Sequence, residues 1–243
     1  MKLIKLDAID STNDFLRNLL THNDPENFTV VTTEDQTKGK GQMGSVWVSE
    51  KGKNLTMSIL VKDFNFNIEQ IYDLNTAVAT AIISVLEKYN IPKLSIKWPN
   101  DIMSDNKKVG GILIENSIKG SNQIDSIIGI GLNVNQDNFD GLPKASSLSL
   151  MAKRSFEKEI LLLEIVENIE QNMVKLSEGK ASEIWQSYTH LLFKRGLPMA
   201  FENQQKQRFM GIIQGVSKTG QLELLLEDDS IKTYGIKEIQ MLY

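Results

Sequence analysis

The chain has 243 residues, of which 41% are hydrophobic and 24% charged, the make-up of an ordinary globular protein rather than a disordered one. Its 27 basic and 31 acidic residues leave a net charge of -4, which gives no general electrostatic reason to bind nucleic acid or an anionic membrane. With no cysteine and only two histidines, His22 and His190, the chain excludes disulfides, thiolate nucleophiles and cysteine- or histidine-rich metal sites, so any metal must take oxygen ligands.

The N-terminus, MKLIKLDAIDSTND, lacks the apolar run of a signal peptide, and no stretch approaches the roughly 20 apolar residues that span a bilayer. A cytoplasmic location is expected. Leu3 to Leu6 reads as a strand. Ser11, with Asp14 three residues later, opens an amphipathic helix carrying Phe15, Leu16, Leu19 and Leu20. Phe28 to Thr32 and Leu55 to Val61 are β-rich, and a polar, glycine-bearing loop joins them. From Ile68 to Tyr89 apolar residues recur at the spacing of one buried helix face. A strand ending at Trp98, a turn at Pro99 to Asp101 and strands around Val109–Glu115 and Ile124–Val134 follow. Helices are expected over Ser155–Leu176 and Ser182–Phe193. Past Gly196 the pattern changes to short β runs at Phe209–Val216, Gln221–Leu226 and Ile231–Tyr234, separated by turns at Lys218–Gly220 and Asp228–Asp229. A domain boundary is placed near residue 195, giving units 1–195 and 196–243.

Three clusters carry chemistry. In Lys38-Gly-Lys-Gly-Gln-Met-Gly44, closed by Trp47, glycines let backbone amides approach an anion and lysines supply charge, but the order is not that of a Walker loop. A plain surface loop is the competing reading. In Ile96-Lys97-Trp-Pro-Asn-Asp101, alternation turns Lys97 away from Ile96 and Trp98, and Pro99 ends the strand, so the lysine is either a held catalytic cation or merely solvent-facing. In Ile128-Gly-Ile-Gly-Leu-Asn-Val-Asn135, one strand face is apolar and the other bare, which suits close approach of a ligand, or else a β-bulge. Val109-Gly-Gly-Ile-Leu-Ile114 adds a second glycine pair.

Taken in order, Ser11-Thr-Asn13, Gln36-x-x-Gly-Lys-Gly41, Lys97-Trp-Pro-Asn-Asp101, Lys108-x-Gly-Gly-Ile112 and Gly129-x-Gly-x-Asn133 resemble the catalytic domain of biotin–protein ligases over roughly residues 5 to 195. The segment after 195 is similar to that family's small C-terminal domain. The resemblance implies an α+β fold, with a mixed-sheet catalytic domain and an SH3-like β-barrel. It also implies two half-reactions: biotin attacks the α-phosphorus of ATP to give biotinyl-AMP and pyrophosphate, and a lysine of a biotin carboxyl carrier domain then takes the biotin. ATP and biotin are the implied substrates, with Mg2+ expected.

Lys97 and Lys40 are the implied catalytic cations, Lys97 first. Ser11, Thr12, Asn13 and Gln36 would meet the ureido head of biotin, with Gly39, Lys40, Lys97, Gly111, Ile112, Gly129 and Gly131 completing its pocket. Lys40, Gly41, Gln42, Trp47, Asn100, Lys108 and Asn133 would meet the nucleotide. Trp47 and Trp98 also have a plain packing reading. The winged helix that makes some relatives DNA-binding repressors has no counterpart ahead of Ser11, so no DNA and no membrane partner is expected, while the resemblance allows a homodimer. One departure stands out: where the family reads GRGRxGRxW, this chain has Gln42 in place of an arginine that helps order the loop over the adenylate. The related lipoate–protein ligases share the chemistry but read an apolar dithiolane, which the polar pocket residues disfavour. A non-catalytic RNA- or peptide-binding module would need an aromatic-studded basic face, for which the acidic balance and 7% aromatics give little support.

Overall fold

Alternation in the third strand sets the architecture. In the structure, a computed structural model that describes residues 1–64, 70–119 and 123–243, β3 (Leu55–Phe64) sends Leu55, Met57, Ile59 and Val61 into the main core and Leu60 into a second cluster. Both faces of the sheet are therefore covered by helices. The seven strands run β1-β2-β3-β7-β6-β5-β4, where β1 is Lys2–Ile9, β2 Thr29–Gln36, β4 Leu94–Lys97, β5 Asp101–Ser104, β6 Lys107–Lys119 and β7 Gln123–Leu132. Among the strands of the described residues β1 and β2 alone pair in parallel, and α1 (Thr12–His22) makes the crossover between them.

Ser11 caps α1 from extended backbone, its Oγ accepting the Asp14 amide at 3.3 Å. Losing such a cap costs about 0.5–2 kcal/mol. Leu16 of α1 packs fully buried with Val31, Leu60 and Ile127, a burial that stabilises by roughly 1.5–3 kcal/mol. On the opposite face lie α2 (Ile71–Lys88), α4 (Lys158–Ser177) and α5 (Ala181–His190), with the short α3 (Leu148–Ala152) at the edge. The helix read from Ile68 is present from Ile71; Ile68 itself lies outside the described residues. The Pro99 turn is followed at once by β5, which is too short to show a period in sequence.

A five-stranded antiparallel sheet forms the C-terminal β unit, in the order β11-β10-β9-β8-β12. Its strands are β8 (Pro198–Asn203), β9 (Arg208–Val216), β10 (Leu222–Leu226), β11 (Ile231–Tyr234) and β12 (Ile239–Leu242). The turn patterns marked β9 to β11. β8 and β12, missed in the sequence, pair with each other and donate Phe201 and Ile239 to an apolar cluster continuous with the first sheet's core.

The two sheets also meet through an aromatic seat. Trp98 Nε1 donates to the Gly220 carbonyl at 2.9 Å, Tyr72 Oη donates to the Pro99 carbonyl at 3.2 Å, and the Tyr72 and Tyr188 hydroxyls lie 3.0 Å apart. Gly220 has φ +86°, and any Cβ there would collide with the Tyr72 ring. Burial raises both tyrosine pKa values, Tyr72 further through its neighbour. A folded-state pKa above the unfolded one favours the neutral phenol, so this contribution is intact below about pH 10 and is lost as pH rises beyond it. The urea midpoint is expected to fall between pH 9 and pH 11, and to fall less in Tyr72→Phe. Equal losses in both proteins would remove the pair as the cause.

Candidate active site

Register lines up the site before any side chain is considered. Thr56 of β3 pairs with Gly131, Gly131 with Gly111, Gly111 with Asp101 and Asp101 with Lys97, a single row across five strands. The next row joins Ser58, Gly129 and Leu113. Both rows lie on the α1 face, because the alternate residues Met57, Ile112 and Ile130 enter the opposite core. Two glycines of β7 and one of β6 thus leave a bare floor flanked by polar ends, and a cavity of about 480 Å³ stands above it. That size suits a small-molecule ligand.

At one end α1 begins. Thr12 donates to Gln36 Oε1 through its amide at 3.0 Å and its hydroxyl at 3.2 Å. Ser58 Oγ lies 2.7 Å from Thr12 Oγ1 and 2.5 Å from Asn13 Oδ1, and Asn13 Nδ2 donates to Glu115 at 2.7 Å. Arg17 holds Glu115 and Asp14 at 2.6 Å each. This cluster is neutral where it meets the cavity and ionic behind it. Ser58 and Glu115 are site residues that the sequence reading missed; only pairing opposite the glycines and Asn13 reveals them.

At the other end Asp101 takes Lys108 Nζ at 2.6 Å and Lys97 Nζ at 3.3 Å. Two ammonium groups against one carboxylate leave a positive charge to meet an anion. Lys108 lies over the floor, since a Cβ on Gly111 would stand 3.4 Å from its Nζ. Lys97 lies on the far side of Asp101, 5.5 Å from the centre of the Tyr243 ring. Asn100 Nδ2 donates to the Ile112 carbonyl at 2.5 Å and fixes the turn to β6.

The loop forms the roof. Trp47 N donates to Gly39 O at 3.0 Å and Gly41 N to Ser45 O at 2.7 Å, so the segment is a small hairpin. The Trp47 indole rests on the floor: a Cβ on Gly131 would stand 2.5 Å from its Cε2. Trp47 Nε1 is buried with no hydrogen-bond partner among the described residues. Lys40 reaches Asp14 at 2.6 Å. Partial burial raises the Asp14 carboxyl, but the Lys40 ammonium and the Arg17 guanidinium outweigh it and hold its pKa below the usual carboxylate value.

Most residues singled out in sequence therefore line one cavity: Ser11, Thr12, Asn13 and Gln36 at the α1 end, Lys40, Gly41, Gln42 and Trp47 in the roof, Gly111, Gly129 and Gly131 in the floor, and Lys97, Asn100 and Lys108 at the cationic end. Ile112 also lines the cavity, although its side chain packs into the core. Two depart from that pattern. Gly39 stands behind the roof, with no room for a Cβ beside the Trp47 carbonyl and Gln36. Asn133 is buried behind the floor, donating to Ser146 O at 3.0 Å. The cavity also draws on the second sheet, including Lys237 and Gln240, which no motif marked.

Fold and cavity together define a small-molecule site on one face of a mixed sheet, with a neutral polar end, a glycine floor and a cationic end. The family model for the Biotin/lipoate A/B protein ligase family matches residues 6–133, more than half of the chain, and the chain belongs to that family. It is 36% identical over 138 residues to the bifunctional ligase/repressor BirA of Bacillus spizizenii, a match covering 57% of this chain and 42% of that protein. It is 26% identical over 149 residues to the biotin--[acetyl-CoA-carboxylase] ligase of Mycobacterium tuberculosis, covering 60% and 54%. The chain thus spans less than half the length of the first curated relatives it matches. Among solved structures, the biotin protein ligase from Aquifex aeolicus in complex with biotin and ATP superposes with a TM-score of 0.81 at 27% identity, covering 99% of this chain and 98% of that one.

Proposed function

We propose that the protein is an ATP-dependent biotin–protein ligase. Biotin carboxylate attacks the α-phosphorus of ATP, forming biotinyl-5'-AMP and releasing pyrophosphate; the amine of a carrier-domain lysine then attacks the acyl carbon and AMP leaves. The observation that carries this reading is the polarity of one cavity. Its neutral end suits an uncharged ureido ring, its floor an aliphatic chain, and its cationic end a carboxylate meeting a phosphate. Those two anions repel, and Lys97 and Lys108, preorganised on Asp101, offset that repulsion where negative charge develops. Ser11, Thr12, Asn13 and Gln36 bind the head, while Lys40, Gln42 and Trp47 close over the adenylate.

Mg2+ is expected with the nucleotide. Among the described residues no three His, Cys, Asp or Glu side chains are grouped to hold a metal, and Asp101 is already engaged by two lysines. The residues do not form a protein cage for the ion, which accords with Mg2+ carried on phosphates and water. The acceptor is a biotin carboxyl carrier domain of a biotin-dependent carboxylase. No helix of the structure is long and apolar enough to cross a membrane.

Pyrophosphate exchange with biotin, lipoate and octanoate in parallel tests the reading. Exchange is expected with biotin alone. Exchange with lipoate or octanoate instead would replace biotin as the substrate, and exchange with none would sink acyl activation.

Gln42 lines the roof with a neutral amide where a second cation would give a charge-assisted contact about twice as strong. Gln42→Arg is therefore expected to release labelled biotinyl-AMP more slowly than the parent in a pulse-chase without acceptor. Equal or faster release would show that the roof is already held by other means.

A further inference from the structure

Two residues that normally avoid left-handed backbone adopt it where the second sheet meets the roof: Met43 at φ +53° and Lys237 at φ +67°. Met43 and Gly44, the latter at φ +79°, are the central pair of a tight turn closed by Ser45 N donating to Gln42 O at 3.2 Å. Positive φ at both centres is the geometry that favours Asn or Gly, so methionine there is held against its preference. What meets this turn comes from 194 positions away: Lys237 Nζ donates to the Met43 carbonyl at 2.6 Å. Lys237 sits in a turn of its own, between β11 and β12, where Gly235 N donates to Glu238 Oε2 at 2.7 Å and Glu238 N to Gly235 O at 3.2 Å. At its base the same loop is held from the other side by Lys40 on Asp14 and Lys38 on Asp10.

We propose that Lys237 is a clasp for the loop: a positioning residue of the second sheet that acts through the Met43 carbonyl to hold the 37–47 hairpin closed over the glycine floor. Its consequence rests on the ligase reading, because what the closed hairpin retains is the acyl-adenylate awaiting its acceptor. The clasp supplies at the tip of the loop a cationic anchor that Gln42 does not. It also gives the second sheet a defined part in the chemistry, as the far jaw of the cavity.

The test uses the full chain with Lys237→Met, which keeps length and removes the donor, and Lys237→Arg, which keeps a donor. Two quantities are read: tryptic cleavage after Lys38 and Lys40 without ligand, and release of labelled biotinyl-AMP without acceptor. For Lys237→Met both are expected to rise about three- to tenfold, as for loss of one charge-assisted hydrogen bond at an exposed site, and Lys237→Arg is expected to stay within about twofold of the parent. Unchanged cleavage or unchanged release in a Lys237→Met protein with the parent's circular dichroism would overturn the clasp. Should Lys237→Met fail to fold, Lys237→Gln carries the same test. If the parent itself makes no adenylate, the ligase reading fails, and the cleavage arm still decides whether Lys237 closes the loop.

Discussion

Lys108→Ala is expected to lower biotin-dependent pyrophosphate exchange by about two to three orders of magnitude, the range for removing one preorganised group that meets developing charge. The geometry separates it from Lys97. Lys108 holds Asp101 at 2.6 Å and lies over Gly111, beside the Trp47 ring, so it meets whatever occupies the floor. Lys97 holds the same carboxylate at 3.3 Å from the outer side, near Tyr243. Removing either lysine leaves one ammonium against one carboxylate and cancels the excess positive charge, so Lys97→Ala is also expected to lose about two orders of magnitude in exchange. The two differ in ground-state binding: biotin affinity measured by calorimetry should weaken in Lys108→Ala and stay within about threefold in Lys97→Ala, a loss confined to the transition state. Near-normal exchange in a folded Lys97→Ala protein would take Lys97 out of the mechanism. The same result for Lys108 would mean that the charge around Asp101 is not the source of the rate.

Legibility in the sequence followed period and punctuation. The alternation of β3 and β7, the apolar stripes of α2 and α4 and the cap at Ser11 are local patterns, and each marked its element. β5, β8 and β12 are four to six residues long; β8 and β12 pair with each other across a long stretch of chain, while β5 sits between its sequence neighbours β4 and β6. The site divides the same way. Gly129, Gly131 and Gly111 are conspicuous because strand interiors disfavour glycine, and Lys97 because Pro99 stops its strand. Ser58 and Glu115 are ordinary polar residues on ordinary strands, and acquire roles only because β3 and β6 register them beside Asn13. Lys237 carries no local signal at all, since its partner is a backbone carbonyl of the roof loop, far away in sequence. Ile112 sits among the glycines and lines the cavity with them, while the two-residue period of a strand turns its side chain to the core.

The bare floor leads to the other large expected effect. Gly131→Val should weaken biotin binding by roughly 5- to 140-fold, because overpacking a fitted contact costs about 1–3 kcal/mol and 1.4 kcal/mol is tenfold in affinity. The backbone at Gly131 is ordinary strand, paired with Thr56 on one side and Gly111 on the other, and is not among the positive-φ glycines, so valine is compatible with the conformation. In strand interiors glycine is less stable than alanine by about 0.5–1 kcal/mol and β-branched residues are favoured, so secondary structure alone gives the fold no reason to keep glycine there. What keeps it is space. A Cβ would stand 2.5 Å from the Trp47 indole, and that indole belongs to the loop rather than to the sheet. Fold stability should therefore hold or rise while the ligand and the indole lose their shared floor. Gly129→Ala provides the comparison: its Cβ would stand 2.5 Å from Asn13 Oδ1, and Asn13 is fixed by Ser58 and Glu115, so that variant should lose thermal stability as well as affinity. Thermal melts and biotin calorimetry on both proteins separate the cases. A Gly131→Val protein that binds biotin as tightly as the parent would show that the floor is not where biotin lies.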